Sequence, residues 1–331
     1  MRFDFNDEQR EIKDTARSFL ADRFKPEVVR ELAEKGTYDA DLCRQIRELG
    51  WTGIAIDEAH GGQGLGVVEL ATLCEQLGYV AAPVPFLANA MAGLVIEAAG
   101  SEEQKERWLG GIASGEERGA LGVVAGGRSL VADADDAAVI VLLDGESASL
   151  IERGDASVEA ADVIDATRRY AWVEASEGEP LPGDAAGALD RAAVALAAEL
   201  VGVAQRAMDM AVDYAKERHQ FERPIGAYQA VSHLCAQMLF DIEEARSLTY
   251  GAAWAADAAP DELPLAAAMA LARAADAAWS VTKSSIQVHG GIGFTWEHDL
   301  HFLLKRARVA GQLLGTAGTH RERVAELAGL S

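Results

Sequence analysis

The sequence has few cysteines, and their spacing does not suggest a shared site. Cys43, Cys74 and Cys235 are the three cysteines among 331 residues, and each lies in an apolar stretch typical of a helix. An odd number of widely separated thiols favours neither a disulfide framework nor a zinc site. We therefore expect free thiols that are buried in the fold.

Basic residues and long apolar runs are also scarce. The 30 lysines and arginines are outnumbered by 53 aspartates and glutamates, so the formal net charge is −23. Nucleic acids and anionic membranes favour a basic face, and neither is expected as a partner. No apolar run reaches the roughly 20 residues that a membrane-spanning helix needs, and the start MRFDFNDEQR does not resemble a signal peptide. These features predict a cytoplasmic protein.

Half of the residues are hydrophobic, and their spacing changes twice along the chain. Up to about residue 114, apolar side chains recur at helical intervals. Between 115 and 183 the apolar runs are short and separated by glycine and aspartate, which is typical of strands. From 184 to 331, long alanine-rich stretches return to helical spacing. We expect a mainly α protein with three domains: an N-terminal helical domain (1–114), a shortened middle β domain (115–183) and a C-terminal helical bundle (184–331).

Turn and capping signals predict where individual elements begin and end. Asn6 or Asp7 is the candidate cap of the first helix. Breaks between the long C-terminal helices are expected at Arg223-Pro224, between Pro260 and Pro264, and at the glycines 290, 291 and 293. The predicted strands are 121–124, 139–143 and 170–173, with no strand between the first two.

Two C-terminal segments contain the residue types that bind a diphosphate. In IQVHGGIGF, Gly290 and Gly291 allow backbone N–H groups to approach an anion closely. In ERHQFERPIG, Arg218 supplies a cation. Each segment alone has a simpler explanation, a helix end or a solvated arginine. The same segments also contain amide and apolar side chains suited to a cofactor, namely Gln220, Phe221 and Gln287.

These segments, together with others, resemble the acyl-CoA dehydrogenase family in the family's own order. The loop LGWTGIAIDEAHGGQGLG at 49–66 and the helical stretches at 102–109 and 303–309 fall where the family has comparable ones. The resemblance implies an acyl-CoA dehydrogenase-like fold with a C-terminal four-helix bundle, and FAD as the cofactor. It also implies that six residues reach an FAD held mainly by a neighbouring subunit: Arg218, Gln220, Phe221, Gln287, Gly290 and Gly291.

The sequence departs from the family at two places. The short middle segment lacks the Thr-Glu-Pro and Ala-Gly-Ser-Asp motifs that face the flavin, and Trp172 stands in the context of a later strand, where we expect it to pack. The family's catalytic Glu is replaced by Leu314 at one of its two positions and by Ala192 at the other. Asp190 and Glu199 lie nearby but are offset along the helix. No catalytic residue is therefore predicted on this chain.

The resemblance and the departures together imply one subunit of a heteromeric FAD-dependent acyl-CoA dehydrogenase. The expected partner is a homologous subunit carrying the catalytic Glu, in an α2β2 arrangement like that of actinobacterial enzymes acting on steroid side-chain CoA esters. The expected electron acceptor is an electron-transfer flavoprotein or a similar protein. Two alternatives stay open: a self-sufficient homomeric dehydrogenase with an unplaced base, and a non-catalytic helical scaffold. The basic residues Lys305, Arg306 and Arg308 are either CoA contacts or solvated helix charges.

Overall fold

The computed structural model describes residues 4–145, 147–174 and 178–330. Within these ranges eleven α-helices and nine strands follow the predicted order, helices first, then strands, then longer helices. The mainly α fold class with a small β region is thus confirmed, whereas the division into three domains stays a prediction. No helix in the described ranges has the length and apolar character needed to cross a bilayer.

The first part of the chain contains six helices, and the first of them begins as predicted. Asn6 caps it: its Oδ1 accepts from the Gln9 N–H at 2.8 Å, and the Gln9 side chain accepts from the Asn6 N–H at 3.0 Å. This reciprocal pair satisfies two N–H groups that the helix itself cannot. The six helices are α1 (Asp7–Arg23), α2 (Pro26–Lys35), α3 (Ala40–Glu48), α4 (Val67–Tyr79), α5 (Phe86–Ala99) and α6 (Glu102–Ser114).

The middle part forms two small sheets. One has the order β1-β3-β4-β7, with β1 and β3 parallel, and the other has the order β2-β6-β5 with antiparallel neighbours. The strands are β1 (Gly119–Val123), β2 (Arg128–Ala132), β3 (Val139–Asp144), β4 (Ser147–Glu152), β5 (Val158–Ala160), β6 (Tyr170–Glu174) and β7 (Glu179–Pro180).

Strand β2 corrects the expectation that no strand lies between 124 and 139. Gly126 and Gly127 both have positive φ, 62° and 83°, and they form a two-residue turn between the bridged residues Ala125 and Arg128. Glycine adopts this conformation without the steric cost of a β-carbon, so the chain reverses and starts a new strand at once. The predicted strands at 139–143 and 170–173 are confirmed as β3 and β6.

The last part is dominated by three long helices whose breaks are as predicted. They are α7 (Ala185–Glu217), α8 (Gln229–Ala258) and α9 (Leu263–His289), followed by α10 (Leu300–Ala310) and α11 (Ala317–Leu327). A short hairpin of β8 (His219–Gln220) and β9 (Arg223–Pro224) joins α7 to α8. A short 3₁₀ helix covers Gly290–Phe294.

Small residues let these helices approach closely. A β-carbon on Gly78 of α4 would overlap the Glu199 carbonyl oxygen of α7, and one on Gly202 would overlap the Glu75 carbonyl oxygen. The backbones of α4 and α7 therefore touch at this crossing. Two of the three cysteines are buried as expected, whereas Cys235 on α8 is only half-buried.

Candidate functional site

The predicted cofactor residues lie at one end of the bundle, where α7 and α9 both finish. The Ser285 hydroxyl of α9 donates to the Ala207 carbonyl of α7 at 2.7 Å. Further along both helices, the Tyr214 and His289 rings stack with centroids 4.4 Å apart. The two helices thus run in the same direction. Arg218, one turn after Tyr214, and Gly290, directly after His289, are brought to the same end.

Arg218 ends α7 and begins the hairpin. Its N–H donates to the Tyr214 carbonyl and its carbonyl accepts from the Ile225 N–H, both at 2.8 Å. These bonds fix the backbone while the side chain remains exposed. No salt bridge within residues 4–145, 147–174 and 178–330 involves its guanidinium. A cation without an internal partner is available to an external anion.

Phe221 and Glu222 form the tip of the hairpin in a strained conformation. Both have positive φ, 51° and 70°, although neither is glycine. Each such residue costs on the order of 1–3 kcal/mol. The Tyr228 hydroxyl donates to the Gln220 carbonyl at 3.0 Å and holds the turn in place. The Phe221 side chain is 88% exposed, so an aromatic ring is presented outward on a fixed turn.

The glycine turn after α9 is open. Gly290 has φ 64°, and its N–H closes the helix by donating to the Ile286 and Gln287 carbonyls. A β-carbon on Gly290 or Gly291 would meet no atom of the described chain within 4 Å. Gln287 is exposed in the last turn of α9. Backbone and amide groups are therefore accessible to a ligand arriving from outside.

The electrostatics of this end explain why the arginine matters. The ends of α7 and α9 are C-termini, whose free carbonyls carry partial negative charge and disfavour an anion. The first turn of α8, by contrast, has no side-chain cap among the described contacts, although its Val231 N–H donates to the Tyr228 carbonyl at 2.9 Å. Arg218 and the open glycine turn together fit a diphosphate. The six predicted residues therefore suit an FAD carried by another subunit, although direct contact with FAD stays a prediction.

Two histidines pack behind the glycine turn. The His298 ring lies 4.5 Å from that of His289, and the His289 Nδ1 is 2.8 Å from the Ser285 carbonyl. Burial lowers the pKa of both rings below the usual value. Both are therefore neutral at physiological pH and contribute packing rather than charge.

The two positions of the family's base are enclosed. Ala192 of α7 is fully buried, and Leu314 after α10 is 4% exposed, with its carbonyl accepting from the His320 ring at 3.0 Å. The nearby Asp190 carboxylate pairs with Arg323, whose Nη2 lies 2.8 Å from Oδ2. That carboxylate already has a partner.

Glu199 belongs to a cluster that the sequence analysis missed. Its carboxylate lies 2.6 Å from Arg168 Nη2 and 2.8 Å from Arg306 Nη1. Arg306 Nε donates to the Thr167 hydroxyl at 2.8 Å and lies 3.5 Å from Asp165 Oδ2. We call Asp165, Thr167, Arg168, Glu199 and Arg306 the ionic cluster.

Arg306 is therefore neither a CoA contact nor a solvated charge, since it is fully buried. The position of Arg306 on α10 indicates this burial, because Phe302 and Ala310, one helical turn before and after it, are both buried. Lys305 instead lies over the Trp296 ring, with Nζ 4.0 Å from the centroid. Trp172 packs on β6 under the Arg128 guanidinium at 4.1 Å, which supports its packing role.

Comparison with known proteins defines the class. Residues 6–116 match the acyl-CoA dehydrogenase N-terminal domain, and residues 183–328 match the acyl-CoA dehydrogenase C-terminal domain. The two matches cover most of the chain and leave the middle β region between them. This chain belongs to the acyl-CoA dehydrogenase family, whose members are oxidoreductases that act on acyl-CoA thioesters.

Two individual relatives and one solved structure are similar to almost the whole chain. The chain is 33% identical to acyl-CoA dehydrogenase IpdE2 of Mycolicibacterium smegmatis, over 93% of this chain and 95% of the relative. It is 34% identical to IpdE2 of Mycobacterium tuberculosis, over 93% of each. Among solved structures, a variant of the Tcur3481-Tcur3483 steroid ACAD is 27% identical, with a TM-score of 0.85 over 97% of this chain and 98% of that one.

Proposed function

We propose that this chain is a subunit of a heteromeric FAD-dependent acyl-CoA dehydrogenase and completes the FAD site of a homologous partner without supplying a base. One observation carries the proposal. The exposed arginine, the strained hairpin and the open glycine turn lie at the same end of the bundle and are accessible from outside it. A scaffold without a cofactor has no need for this combination.

Each residue has a separate task toward FAD. Arg218 binds the diphosphate through a charge-assisted contact, which contributes about 1.5–3 kcal/mol. Gly290 and Gly291 let backbone N–H groups approach the same anion. FAD, when bound, supplies the hydride acceptor for the acyl β-carbon. Amide and apolar contacts orient the rest of the cofactor through Gln220, Phe221 and Gln287.

The base comes from the partner. Leu314 and Ala192 cannot accept a proton, and Asp190 and Glu199 bind arginines. A positioned base contributes roughly 10²–10⁴ in rate, or about 3–5 kcal/mol of barrier. Without that contribution, an acyl-CoA bound to this subunit alone would not turn over at an enzymatic rate.

The substrate class and the partners follow from the relatives. A steroid ACAD among the similar structures supports a bulky, steroid-derived acyl-CoA. The solved ChsE4-ChsE5 complex of Mycobacterium tuberculosis, 23% identical with a TM-score of 0.87, shares the fold. We propose an α2β2 assembly with a Glu-bearing homologue, and an electron-transfer flavoprotein or similar acceptor, in the cytoplasm.

Purification with and without a homologous partner tests the proposal. The chain alone should be colourless or insoluble, and the complex should hold one FAD per pair of different subunits, measured by flavin absorbance against protein. Changing the partner's Glu to Gln should lower turnover at least about a hundredfold, whereas Asp190→Asn in this chain should change it only a few-fold. One tightly bound FAD per chain in the isolated protein would reject the proposal and favour a self-sufficient enzyme.

A further inference from the structure

A cavity of about 210 Å³ lies where the N-terminal helices meet the bundle. Its wall is formed by the turn between α1 and α2, the end of α4, the second half of α7 and the start of α10. None of the six candidate FAD residues lines it. Arg206, which does, lies about 18 Å before Arg218 along α7. The cavity is therefore separate from the candidate FAD site. Its apolar wall consists of aromatic and aliphatic side chains, among them Phe24, Val29, Met210, Phe302 and Leu303.

The charged residues of the wall give the cavity a positive charge. Two are cations, Lys25 and Arg206, and one is an anion, Asp299. The Asp299 carboxylate is already paired, since its Oδ1 lies 2.5 Å from Arg30 Nη2. Among the residues that the structure describes, no carboxylate forms a salt bridge with Lys25 or Arg206. The formal net charge of the whole chain is −23, so most of the surface repels an anion that this cavity attracts.

Arg206 is half-buried, and its neighbours leave its guanidinium available. The guanidinium lies 5.5 Å from the centroid of the Tyr79 ring. One turn further on α7, the Asp209 carboxylate accepts from the Tyr79 hydroxyl at 2.9 Å and from the Gln205 amide at 2.8 Å. This nearby carboxylate thus binds two neutral donors. The planar fork of Arg206 is suited to the two oxygens of a carboxylate that comes from outside.

The wall at the end of α4 is fixed by backbone hydrogen bonds. Ala81 has a φ of 49°, a conformation that glycine usually adopts at the end of a helix. Its N–H donates to the Gly78 carbonyl, and the Ala82 N–H donates to the Leu77 carbonyl, both at 3.0 Å. These bonds close α4 and hold the turn in place. The cavity is therefore formed before a ligand arrives, which lowers the cost of binding.

The volume limits the ligand to a small molecule. A protein cavity of about 150 Å³ is large enough for benzene, whereas pockets for drug-sized ligands begin at about 300 Å³. A cavity of about 210 Å³ therefore accommodates a carboxylate with a single ring or a chain of about six carbons. An acyl-CoA and a dinucleotide are far larger. The ligand is thus neither the substrate nor the cofactor of the proposed function.

We propose that this cavity binds a free carboxylic acid with a compact apolar body, in its ionised form. Arg206 binds the carboxylate through two N–H groups, and the exposed Lys25 adds a second positive charge. The rings of Phe24 and Phe302 contact the apolar body. Aromatic and short aliphatic acids share this chemistry. The proposal does not depend on the proposed function, because no candidate FAD residue takes part.

Isothermal titration calorimetry with benzoate and hexanoate tests the site in the full chain, or in its complex with the homologous partner. At least one acid should bind saturably at one per chain, with a Kd of about 1 mM or lower. The tighter of the two identifies the ligand as aromatic or aliphatic. Benzamide, which lacks the charge, and acetate, which lacks the apolar body, should bind at least about tenfold more weakly. The absence of saturable binding by both acids would overturn the proposal.

Arg206→Met should weaken binding of the acid at least about tenfold, because the carboxylate loses a charge-assisted contact. The matched control is Arg191→Met, at another half-buried arginine of α7. Arg191 lines a different cavity together with the carboxylates of Glu97 and Asp257, which repel an acid. Its variant should bind the acid as the parent does. Unchanged binding in Arg206→Met, or an equal loss in both variants, would overturn the proposal.

Filling the cavity provides a second test that keeps both cations. Ala21 lines the cavity and is exposed, so a larger side chain there does not disturb the core. Ala21→Trp should occupy the space and abolish binding of the acid. Ser18→Trp, at an exposed position on the same helix that does not line the cavity, should leave binding unchanged. Binding retained in Ala21→Trp would show that the acid lies elsewhere and would overturn the proposal.

Discussion

Arginines at two places along α7 have opposite surroundings. At its end, Arg218 is exposed and has no salt bridge within the described part of the chain, whereas Arg168 and Arg306 beside Glu199 are buried and both pair with its carboxylate. The exposed arginine adds little to the fold and is available to an outside anion. The buried pair contributes to the fold and offers nothing to a ligand. Whether an arginine is available to a ligand or stabilises the fold therefore depends on its burial and its partners, not on its residue type.

The largest effect on stability should come from replacing one of the buried arginines. Arg306→Met removes a guanidinium from Glu199 and should lower the free energy of unfolding by about 3–5 kcal/mol, measured by urea denaturation. Arg308→Met, an exposed arginine on the same helix, should change it by less than about 0.5 kcal/mol. Similar losses for both variants would show that burial does not distinguish them.

Asp133 is a buried carboxylate that accepts from the Tyr38 hydroxyl and lies 4.0 Å from Arg168 Nε, and it should make stability depend on pH. Burial raises the pKa of Asp133 to about 6, despite the opposing effect of Arg168. The unfolded pKa is about 3.9, so the folded protein binds the proton more tightly. Its contribution is complete below about pH 4 and is lost as the pH rises through about 6.

Asp133→Asn should remove this dependence. The parent should lose about 2–3 kcal/mol relative to the variant between about pH 4 and 7, measured by urea denaturation at each pH. Asp135→Asn, a more exposed neighbour, serves as the control. A constant difference between parent and Asp133→Asn at all pH values would contradict the assignment.

Removing the side chain of the exposed arginine should weaken FAD binding and leave the stability of the fold unchanged. Arg218→Ala should weaken FAD binding by the complex by about 1.5–3 kcal/mol, roughly tenfold to a hundredfold, measured by FAD titration. Unfolding of the isolated chain should remain that of the parent. Lys216→Ala, an exposed cation in the last turn of α7, should leave FAD binding unchanged. Unchanged FAD occupancy in the Arg218 variant would show that Arg218 is a solvated charge and does not bind FAD.

The smallest effect concerns the strained turn. Glu222→Gly relieves a positive φ and should stabilise the chain by about 1 kcal/mol, measured by thermal or urea unfolding. Glu217→Gly, at the end of α7, should instead destabilise it by about 0.5–1 kcal/mol. A loss of stability in both variants would show that the turn is not strained in solution.

The sequence predicted the helices and breaks that depend on local residue patterns. Helical spacing and the breaks at Arg223-Pro224 and the glycines after His289 are local signals, and the helices end there. Strand β2 was missed because two glycines reverse the chain within two residues. The ionic cluster was missed because Arg168, Glu199 and Arg306 are distant in sequence.

The candidate FAD residues were found by resemblance, and the structure adds their setting. Their segments are about 70 residues apart, yet the stacking of Tyr214 on His289 brings Arg218 and Gly290 to one end of the bundle. Helical spacing alone does not determine whether two long helices run in the same direction. That depends on the connection through α8, which returns the chain to the start of α9.

Helix α7 is long, so a small change in its tilt at Glu199 produces a larger displacement at Arg218. Glu199 and Arg218 are 19 residues apart on a helix that continues unbroken from Ala185 to Glu217, a separation of about 28 Å. If the helix pivots at Glu199, a tilt of about 2° displaces the arginine by roughly 1 Å, a shift that matters for a charged contact. A substitution in the interior that never touches FAD can therefore move the guanidinium through an arc and misalign it with its anion.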